Sequence, residues 1–264
     1  MPVNGYELID RGYTAMVYRL PGTRRVCKSF LSSCAKTHFP VEVEAYERFT
    51  ARGHPASILK YYGLDKDDPA GIILELAENG NVWKYVWDCR LFGHPPSQDT
   101  LYRWARQAAE ALAFAHSCNV LHSDIHCLNF LLDENLDLKV ADFAGASING
   151  GKSWSCYRLT HLLVDAEAKY DPHTEITVAS EVFGFGSALY CMTVGHDLFP
   201  ELDYKSDEAE IIRRLREKKF PDTGELPILG AVVEKCWNLE YASMGDILEG
   251  IDAESHSFAG HTAA

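Results

Sequence analysis

The chain has 264 residues, of which 47% are hydrophobic and 24% are charged. This length suits one large domain or two closely packed lobes, and the composition excludes a wholly disordered chain. The 38 acidic residues outnumber the 25 basic ones, which gives a formal charge of −13. Because nucleic-acid binding needs clustered basic side chains, this balance argues against a nucleic-acid partner.

The cysteines and the N-terminal sequence indicate the compartment. The eight cysteines form no Cys-x-x-Cys pair and no short regular spacing, so we expect neither a zinc site nor a disulfide framework. The sequence has no signal-peptide pattern and no run of the ~18 apolar residues that a membrane span needs. We therefore expect a reducing, cytosolic or nuclear location and no membrane partner.

The first part of the chain predicts strands and one helix. Residues 5–31 alternate apolar runs with polar turns, which predicts a three-stranded meander. From Pro40, the sequence "PVEVEAYERFTARG" spaces its apolar residues by four and ends at Gly53, which predicts a short helix. Two further strands are predicted at 56–64 and 70–76, separated by a polar turn.

Helices dominate the second part of the chain. Residues 98–117 place their apolar side chains on one face, with Ser97 or Asp99 available as the cap. Residues 181–194 are apolar nearly all round, as expected for a buried central helix. Further helices are predicted at 207–219 and 228–238, and a frayed tail at 253–264.

Between these helices lies the stretch "VLHSDIHCLNFLLDENLDLKVADF", residues 120–143. It contains two acidic residues that each end an apolar run, Asp124 and Asp142, with Asn129 between them. Carboxylate and amide oxygens are the ligands that Mg²⁺ prefers, and Mg²⁺ usually shares its shell with nucleotide phosphates. The stretch also predicts a strand pair joined by the turn "DEN". Its chemistry points to phosphoryl transfer.

Three segments resemble motifs of the eukaryotic protein-kinase fold. "HSDIHCLN" is similar to its catalytic loop, "ADFAG" to its magnesium loop, and "VCK" at 26–28 to its strand lysine. The resemblance covers about residues 6–250. The exact residues of these segments are most similar to those of small, stand-alone kinase-like proteins of filamentous fungi. It implies a two-lobed α+β fold, with a small β-rich lobe at about 1–77 and a mainly helical lobe at about 78–252.

The resemblance implies a nucleotide pocket between the lobes. Lys28 would hold the α- and β-phosphates of ATP and would pair with a helix glutamate, which we assign to Glu44 by counting back from the following His-Pro. Glu42 and Glu47 remain alternatives. The other pocket residues would be Gly12 and Val17 in the region of the phosphate loop, Leu74 as gatekeeper, and the backbone of Glu75 and Ala77 against adenine.

The resemblance also implies the catalytic groups. Asp124 would orient a substrate hydroxyl and accept its proton, while Asn129 and Asp142 would hold Mg²⁺. His126 stands where the family has a basic residue and could donate to the γ-phosphate when it is protonated. The expected ligands are therefore ATP, Mg²⁺ and a protein substrate that carries a Ser or Thr hydroxyl.

Several positions depart from the family pattern. In the stretch "DRGYTAMV" only Gly12 occupies an expected glycine position, although glycines there let the backbone approach phosphate. Ser123 replaces the arginine of the catalytic loop. Glu181 replaces an aspartate of the buried helix, and its arginine partner is missing from the sequence, so we expect that ion pair to be absent.

Two other functions remain open at this point. A pseudokinase would have the same fold and act as a binding or allosteric module, which the altered phosphate loop favours. A phosphotransferase for a small molecule is the third hypothesis. The 181–194 helix and the Cys236-Trp237 pair near the end of the helical lobe instead resemble protein kinases. The retained acidic and amide residues favour the enzyme.

Overall fold

A computed structural model describes residues 6–155, 157–164 and 176–262. The N-terminal part forms a five-stranded antiparallel sheet with the order β1-β2-β3-β5-β4. This confirms the predicted meander and the two further strands. The strands are β1 (Glu7–Arg11), β2 (Ala15–Arg19), β3 (Arg25–Phe30), β4 (Tyr61–Leu64) and β5 (Gly71–Glu75).

One helix, α1 (His38–Arg52), connects β3 to β4 along the chain. It buries Ala45, Tyr46 and Phe49, which share one face at helical spacing. Gly53 ends the helix in the left-handed conformation, with a φ of 86°, which glycine adopts without a steric penalty. The helix predicted from Pro40 to Gly53 is confirmed, with a start two residues earlier.

Six helices of the described residues follow the sheet. Together with the sheet they give the predicted two-lobed α+β architecture. The helices are α2 (Val82–Leu91), α3 (Gln98–Ser117), α4 (Val178–Val194), α5 (Glu208–Arg216), α6 (Gly230–Trp237) and α7 (Met244–Thr262). None of them, within the described ranges, is both long and apolar enough to cross a membrane.

The central helices form where the sequence predicts them. The Ser97 side chain accepts a hydrogen bond from the Thr100 amide at the start of α3, so Ser97 is the cap. Helix α4 is buried almost throughout. At its N-terminus the Thr177 and Ser180 side chains each accept from the other residue's amide, which satisfies two amides that a helix end leaves open.

Two small two-stranded sheets hold the 120–143 stretch in place. Strand β6 (Val120–Leu121) pairs with β9 (Ser147–Ile148), and β7 (Phe130–Leu132) pairs with β8 (Leu138–Val140). The Asp133 carboxylate closes the turn between β7 and β8 by accepting from the amides of Asn135 and Asp137. The predicted strand pair is therefore confirmed.

The C-terminal tail differs from its prediction. Helix α7 continues to Thr262, so the predicted fraying is wrong for 253–262, and 263–264 lie outside the described residues. Glu254 accepts from the Leu229 amide and from the Tyr102 hydroxyl, and Asp252 pairs with Arg106. These contacts stabilise a segment whose Ser, Gly and His residues have low helix propensity.

Candidate active site

Lys28 lies on β3 and is buried beside two carboxylates. Its Nζ is 2.6 Å from Glu42 Oε2 and 2.7 Å from Asp142 Oδ1. Glu42 is fully buried, whereas the Asp142 side chain is 41% exposed. The sheet, α1 and the segment after β8 therefore meet at one ammonium group, although Lys28 and Asp142 are 114 residues apart.

The glutamate that pairs with Lys28 is Glu42, and the assignment to Glu44 is wrong. Glu44 is exposed and pairs with Arg48, one helical turn along α1. Residues two apart on a helix point about 200° apart, so only one of the two glutamates can face the sheet. The sequence contained the signal, because Glu42 lies on the same side as the buried Ala45 and Phe49.

The three charged groups shift each other's pKa values. Burial alone would lower the pKa of Lys28, but Asp142 and Glu42 outweigh it and raise that pKa. Burial raises the pKa of the Glu42 carboxyl, and Lys28 only partly opposes this. Burial would also raise the pKa of Asp142, but Lys28 outweighs it and lowers that pKa. Lys28 therefore stays charged, and Asp142 holds the carboxylate form.

Asp124 and Asn129 lie in the loop between β6 and β7 and contact each other directly. The Asn129 Nδ2 donates to the Asp124 carbonyl at 2.8 Å and lies 3.2 Å from Asp124 Oδ2. The Asn129 carbonyl accepts from the Ala141 amide at 3.0 Å, which brings this loop beside Asp142. The fold thus assembles Lys28, Asp124, Asn129 and Asp142 at the edge of one hairpin.

His126 is held as an orienting group for Asp124. Its Nδ1 accepts from the Leu128 amide at 3.2 Å, so the ring proton is on Nε2. That Nε2 is 3.2 Å from Asp124 Oδ1 and can donate to it as a neutral imidazole. In this arrangement His126 faces the aspartate, whereas the resemblance implied a contact with phosphate.

Two residues of the site have unusual backbone angles. Ser123 has a φ of 70° and Asp142 a φ of 65°, a left-handed region that few residues other than glycine adopt. Such positions persist only where neighbouring contacts impose them, and they are concentrated at functional sites. Ser123 is fixed by two bonds, from its amide to Glu181 and from the Ser147 amide to its hydroxyl.

Glu181, at the start of α4, holds the loop between β6 and β7 in place. Its fully buried carboxylate accepts from the amides of His122 and Ser123 at 3.0 and 2.7 Å. It also lies 2.8 Å from His116 Nε2 and accepts from the Tyr157 hydroxyl at 2.7 Å. Sequence reasoning predicted only a lost ion pair here and missed these contacts, which join residues 24 to 65 positions apart.

A stack of rings connects α1 and the sheet to the loop. The Tyr61 ring stacks on Tyr46 at 5.5 Å, Tyr46 meets Phe143 edge-on at 5.8 Å, and Phe143 lies 4.7 Å from His122. Such pairs contribute about 0.5–1.5 kcal/mol beyond the area they bury. Because Phe143 follows Asp142 directly, the stack fixes the position of that carboxylate.

The remaining predicted pocket residues lie in the N-terminal sheet or directly beside it. Val17 lies opposite Lys28 in the β2–β3 register, and Leu74 is buried on β5. The Gly12 amide donates to the Ala15 carbonyl and closes the turn between β1 and β2. The Glu75 amide donates to the Lys60 carbonyl, so that amide is not available to a ligand. Ala77 follows β5 and is half-buried.

The site has the donor set of a divalent-cation site. Two carboxylates face one ammonium at Lys28, which leaves an excess of negative charge. The Asn129 amide nitrogen is used by Asp124, so its oxygen is the group left to bind a ligand. Oxygen donors of this kind, with Asp142 partly exposed to solvent, suit Mg²⁺ with part of its water shell.

Comparisons with known proteins agree with this geometry. Residues 22–239 match the family model described as "Protein kinase domain". Serine/threonine-protein kinase PLK4 of Nematostella vectensis is 29% identical over 228 residues, 82% of this chain and 22% of that protein. Receptor protein-tyrosine kinase CEPR2 of Arabidopsis thaliana is 33% identical over 130 residues, 47% of this chain and 13% of that protein. The chain thus spans less than a quarter of the length of either relative.

Proposed function

The chain belongs to the protein kinase domain family, and from this premise we propose that it transfers the γ-phosphoryl group of ATP to a protein hydroxyl with the help of Mg²⁺. One observation carries the proposal: Lys28 contacts Glu42 and Asp142 at once, while Asn129 holds Asp124 next to them. A module that only binds a partner has no need of this set of charges and metal ligands.

Lys28 would bind the phosphates of ATP. Its ammonium is buried, charged and fixed by Glu42, so it can meet an anionic oxygen without rearranging. Asn129 and Asp142 would hold the cation through their side-chain oxygens. Bound Mg²⁺ would neutralise charge on the transferring group and hold it in line. Leu74, Val17 and Gly12 would border the nucleotide, with the backbone of Glu75 and Ala77 at the adenine.

Asp124 would act on the substrate hydroxyl. Its carboxylate is 27% exposed, accepts a hydrogen bond from Asn129 and has His126 Nε2 3.2 Å away. It would accept the hydroxyl proton as the new O–P bond forms and the bond from the γ-phosphorus to ADP breaks. His126 would act as a positioning residue, because its Nε2 is directed at Asp124.

The proposed acceptor is a Ser or Thr hydroxyl. One relative is named a serine/threonine-protein kinase and the other a receptor protein-tyrosine kinase. The first match covers 82% of this chain and the second 47%, so the first has more weight. Peptide mixtures that contain only Ser, only Thr or only Tyr as acceptors would test this choice.

The test combines ligand binding with catalysis. Melting temperature is measured with ATP, with Mg²⁺ and with both, because a ligand at a hundredfold excess over its Kd stabilises the native state by ~2.7 kcal/mol. We expect a rise that requires both ligands. Asparagine tolerates the left-handed backbone at position 142. The Asp142→Asn variant should therefore fold but no longer show the part of the rise in melting temperature that depends on Mg²⁺. Asp124→Asn should keep the rise and lose phosphoryl transfer.

A second function, that of a pseudokinase, is favoured by the C-terminal end of β1. Asp10 lies there and is exposed, and its carboxylate accepts from the Arg11 amide, so a negative charge stands at the predicted phosphate loop. If the wild-type chain shows no rise at millimolar ATP with Mg²⁺, or if Asp124→Asn transfers phosphate as well as the wild type does, the binding module becomes the better assignment.

A further inference from the structure

A second group of metal-binding side chains lies outside the candidate active site. His161 ends the 3₁₀ turn Leu159–His161, Cys191 lies on α4, and Asp197 follows that helix. One ligand atom from each lies within 4.8 Å of the others. Cys191 Sγ is 4.0 Å from His161 Nε2 and 3.4 Å from Asp197 Oδ1. All three residues are at most 9% exposed.

Neighbouring residues orient these ligand atoms toward each other. The Thr160 hydroxyl is 3.1 Å from His161 Nδ1, so Nε2 faces the thiol. Arg158 lies 3.2 Å from Asp197 Oδ2, and the Tyr204 hydroxyl donates to the same oxygen, so Oδ1 faces the thiol. Metal-binding histidines and carboxylates are typically held in this way by bonds to their other polar atom.

Two of the three ligand spacings approach those of a tetrahedral transition-metal site, and the third, between His161 and Asp197, is within 4.8 Å. With Zn–S near 2.3 Å and Zn–N and Zn–O near 2.1 Å, tetrahedral ligands are about 3.4–3.6 Å apart. The Cys191–Asp197 distance already lies close to this range, and the Cys191–His161 distance needs a contraction of a few tenths of an ångström. Rotation about the side-chain bonds of Cys191 can supply that movement.

We propose that His161, Cys191 and Asp197 bind Zn²⁺, with a water molecule as the fourth ligand. Binding would form Zn–S, Zn–N and Zn–O bonds and release the Cys191 thiol proton to solvent. Thiolate and imidazole ligands favour Zn²⁺ over Mg²⁺. The His161–Cys191 separation of 30 residues forms no short motif, so no local sequence pattern predicts the site.

The bound ion would connect residues 157–164, which carry His161, to the buried helix α4. The segment that carries His161 also carries Tyr157, whose hydroxyl donates to Glu181. The His161 ring lies 6.3 Å from the His126 ring, which orients Asp124. Zinc would therefore fix this segment against α4. This structural role does not depend on the proposed phosphoryl transfer.

Metal content tests the proposal directly. The chain is loaded with Zn²⁺, passed through a desalting column and analysed by mass spectrometry for bound zinc. We expect one zinc ion per chain in the wild type, in Cys236→Ala and in Asp142→Asn, and almost none in Cys191→Ala. Cys236 is a matched control because it is also buried, and Asp142→Asn separates this site from the Mg²⁺ ligands.

A spectroscopic measurement identifies the ligand. Co²⁺ in place of Zn²⁺ should give a sulfur-to-cobalt charge-transfer band that disappears in Cys191→Ala. If that variant does not fold, His161→Gln should show the same loss of zinc. A wild-type chain that retains no zinc, equal zinc in the wild type and Cys191→Ala, or loss of zinc in Asp142→Asn would each overturn the proposal and leave a purely hydrogen-bonded cluster.

Discussion

At the scale of single residues, Glu42 and Glu44 carry the same side chain two positions apart on α1. One is buried at 2.6 Å from Lys28, and the other is exposed and pairs with Arg48. An exposed i,i+4 pair contributes about 0.3–0.5 kcal/mol. A buried partner of a functional lysine instead determines where that lysine lies, so the two glutamates form a matched pair for substitution.

The first prediction compares Glu42→Gln with Glu44→Gln. The Glu42 change removes the charge that fixes Lys28 and should lower kcat/KM for phosphoryl transfer on the order of a hundredfold, the cost of misplacing a reacting group by about 1 Å. Glu44→Gln should change it by less than about twofold. Initial rates and the ATP-induced rise in melting temperature measure both variants.

Glu44→Gln is the internal control for this comparison, because it makes the same chemical change on the same helix. An equal loss in both variants would point to general destabilisation of α1. A loss confined to Glu44→Gln would contradict the pairing that the structure shows.

At the scale of elements, α4 supports the catalytic loop through one carboxylate. Glu181 accepts from two loop amides, from Tyr157 and from His116. Burial alone would raise the pKa of Glu181, but the contacts with His116 and the loop outweigh it and lower that pKa. A carboxyl whose folded pKa lies below its ordinary value stabilises the fold above that ordinary value and loses this contribution as pH falls through the folded pKa.

The second prediction is that Glu181→Gln lowers the free energy of unfolding at neutral pH by about 2–5 kcal/mol. The glutamine amide group has one acceptor oxygen, so at least two buried donors are left unsatisfied at about 1–3 kcal/mol each. The variant should also lose stability less steeply below the ordinary carboxyl pKa of 4.5. Urea unfolding across a pH series measures both effects.

Glu208→Gln provides the control, since Glu208 is an exposed glutamate on α5. It should change the free energy of unfolding by less than about 0.5 kcal/mol. The carboxylate does not support the loop if Glu181→Gln is as stable as Glu208→Gln and if its free energy of unfolding falls at acidic pH as steeply as that of the wild type.

The elements that the sequence predicts well are those whose signal is local. The apolar face of 98–117 and the strand pair within 120–143 depend on periodicity and turn chemistry over a few residues. The partners of Glu181 are spread over 24 to 65 positions of the chain, so no local pattern reveals them. Glu44 was chosen by counting from a motif, whereas the helical period favours Glu42.

At the scale of the whole molecule, α7 closes the helical part against α3 and α6. Its contacts through Asp252 and Glu254 link residues far apart in sequence, including Arg106 and Leu229. Helices of weak propensity are stabilised mainly by such tertiary packing. This explains why local reasoning predicted a frayed tail there.

The third prediction compares a chain that ends at Ile251 with one that ends at Ser257. The shorter chain loses Asp252 and Glu254 and should be less stable by about 2 kcal/mol, which for a chain of this size corresponds to a melting temperature about 4–8 °C lower. The chain ending at Ser257 keeps both residues and should melt close to the full chain. Calorimetry of the three forms measures the difference.

Equal melting temperatures for all three forms would mean that α7 beyond Ile251 contributes nothing to the fold. A loss that appears already in the chain ending at Ser257 would assign the effect to the last residues instead of Asp252 and Glu254.

The bonds between Glu181 and the loop also determine how the loop exchanges its amide hydrogens with solvent. Loop amides normally exchange through small local openings, far faster than those of a buried helix. The amides of His122 and Ser123 instead donate to a buried carboxylate of α4, so releasing them requires that helix to move. We therefore expect the loop and α4 to open as one cooperative unit, with Asp124 directly after two amides that exchange as slowly as those of the buried helix.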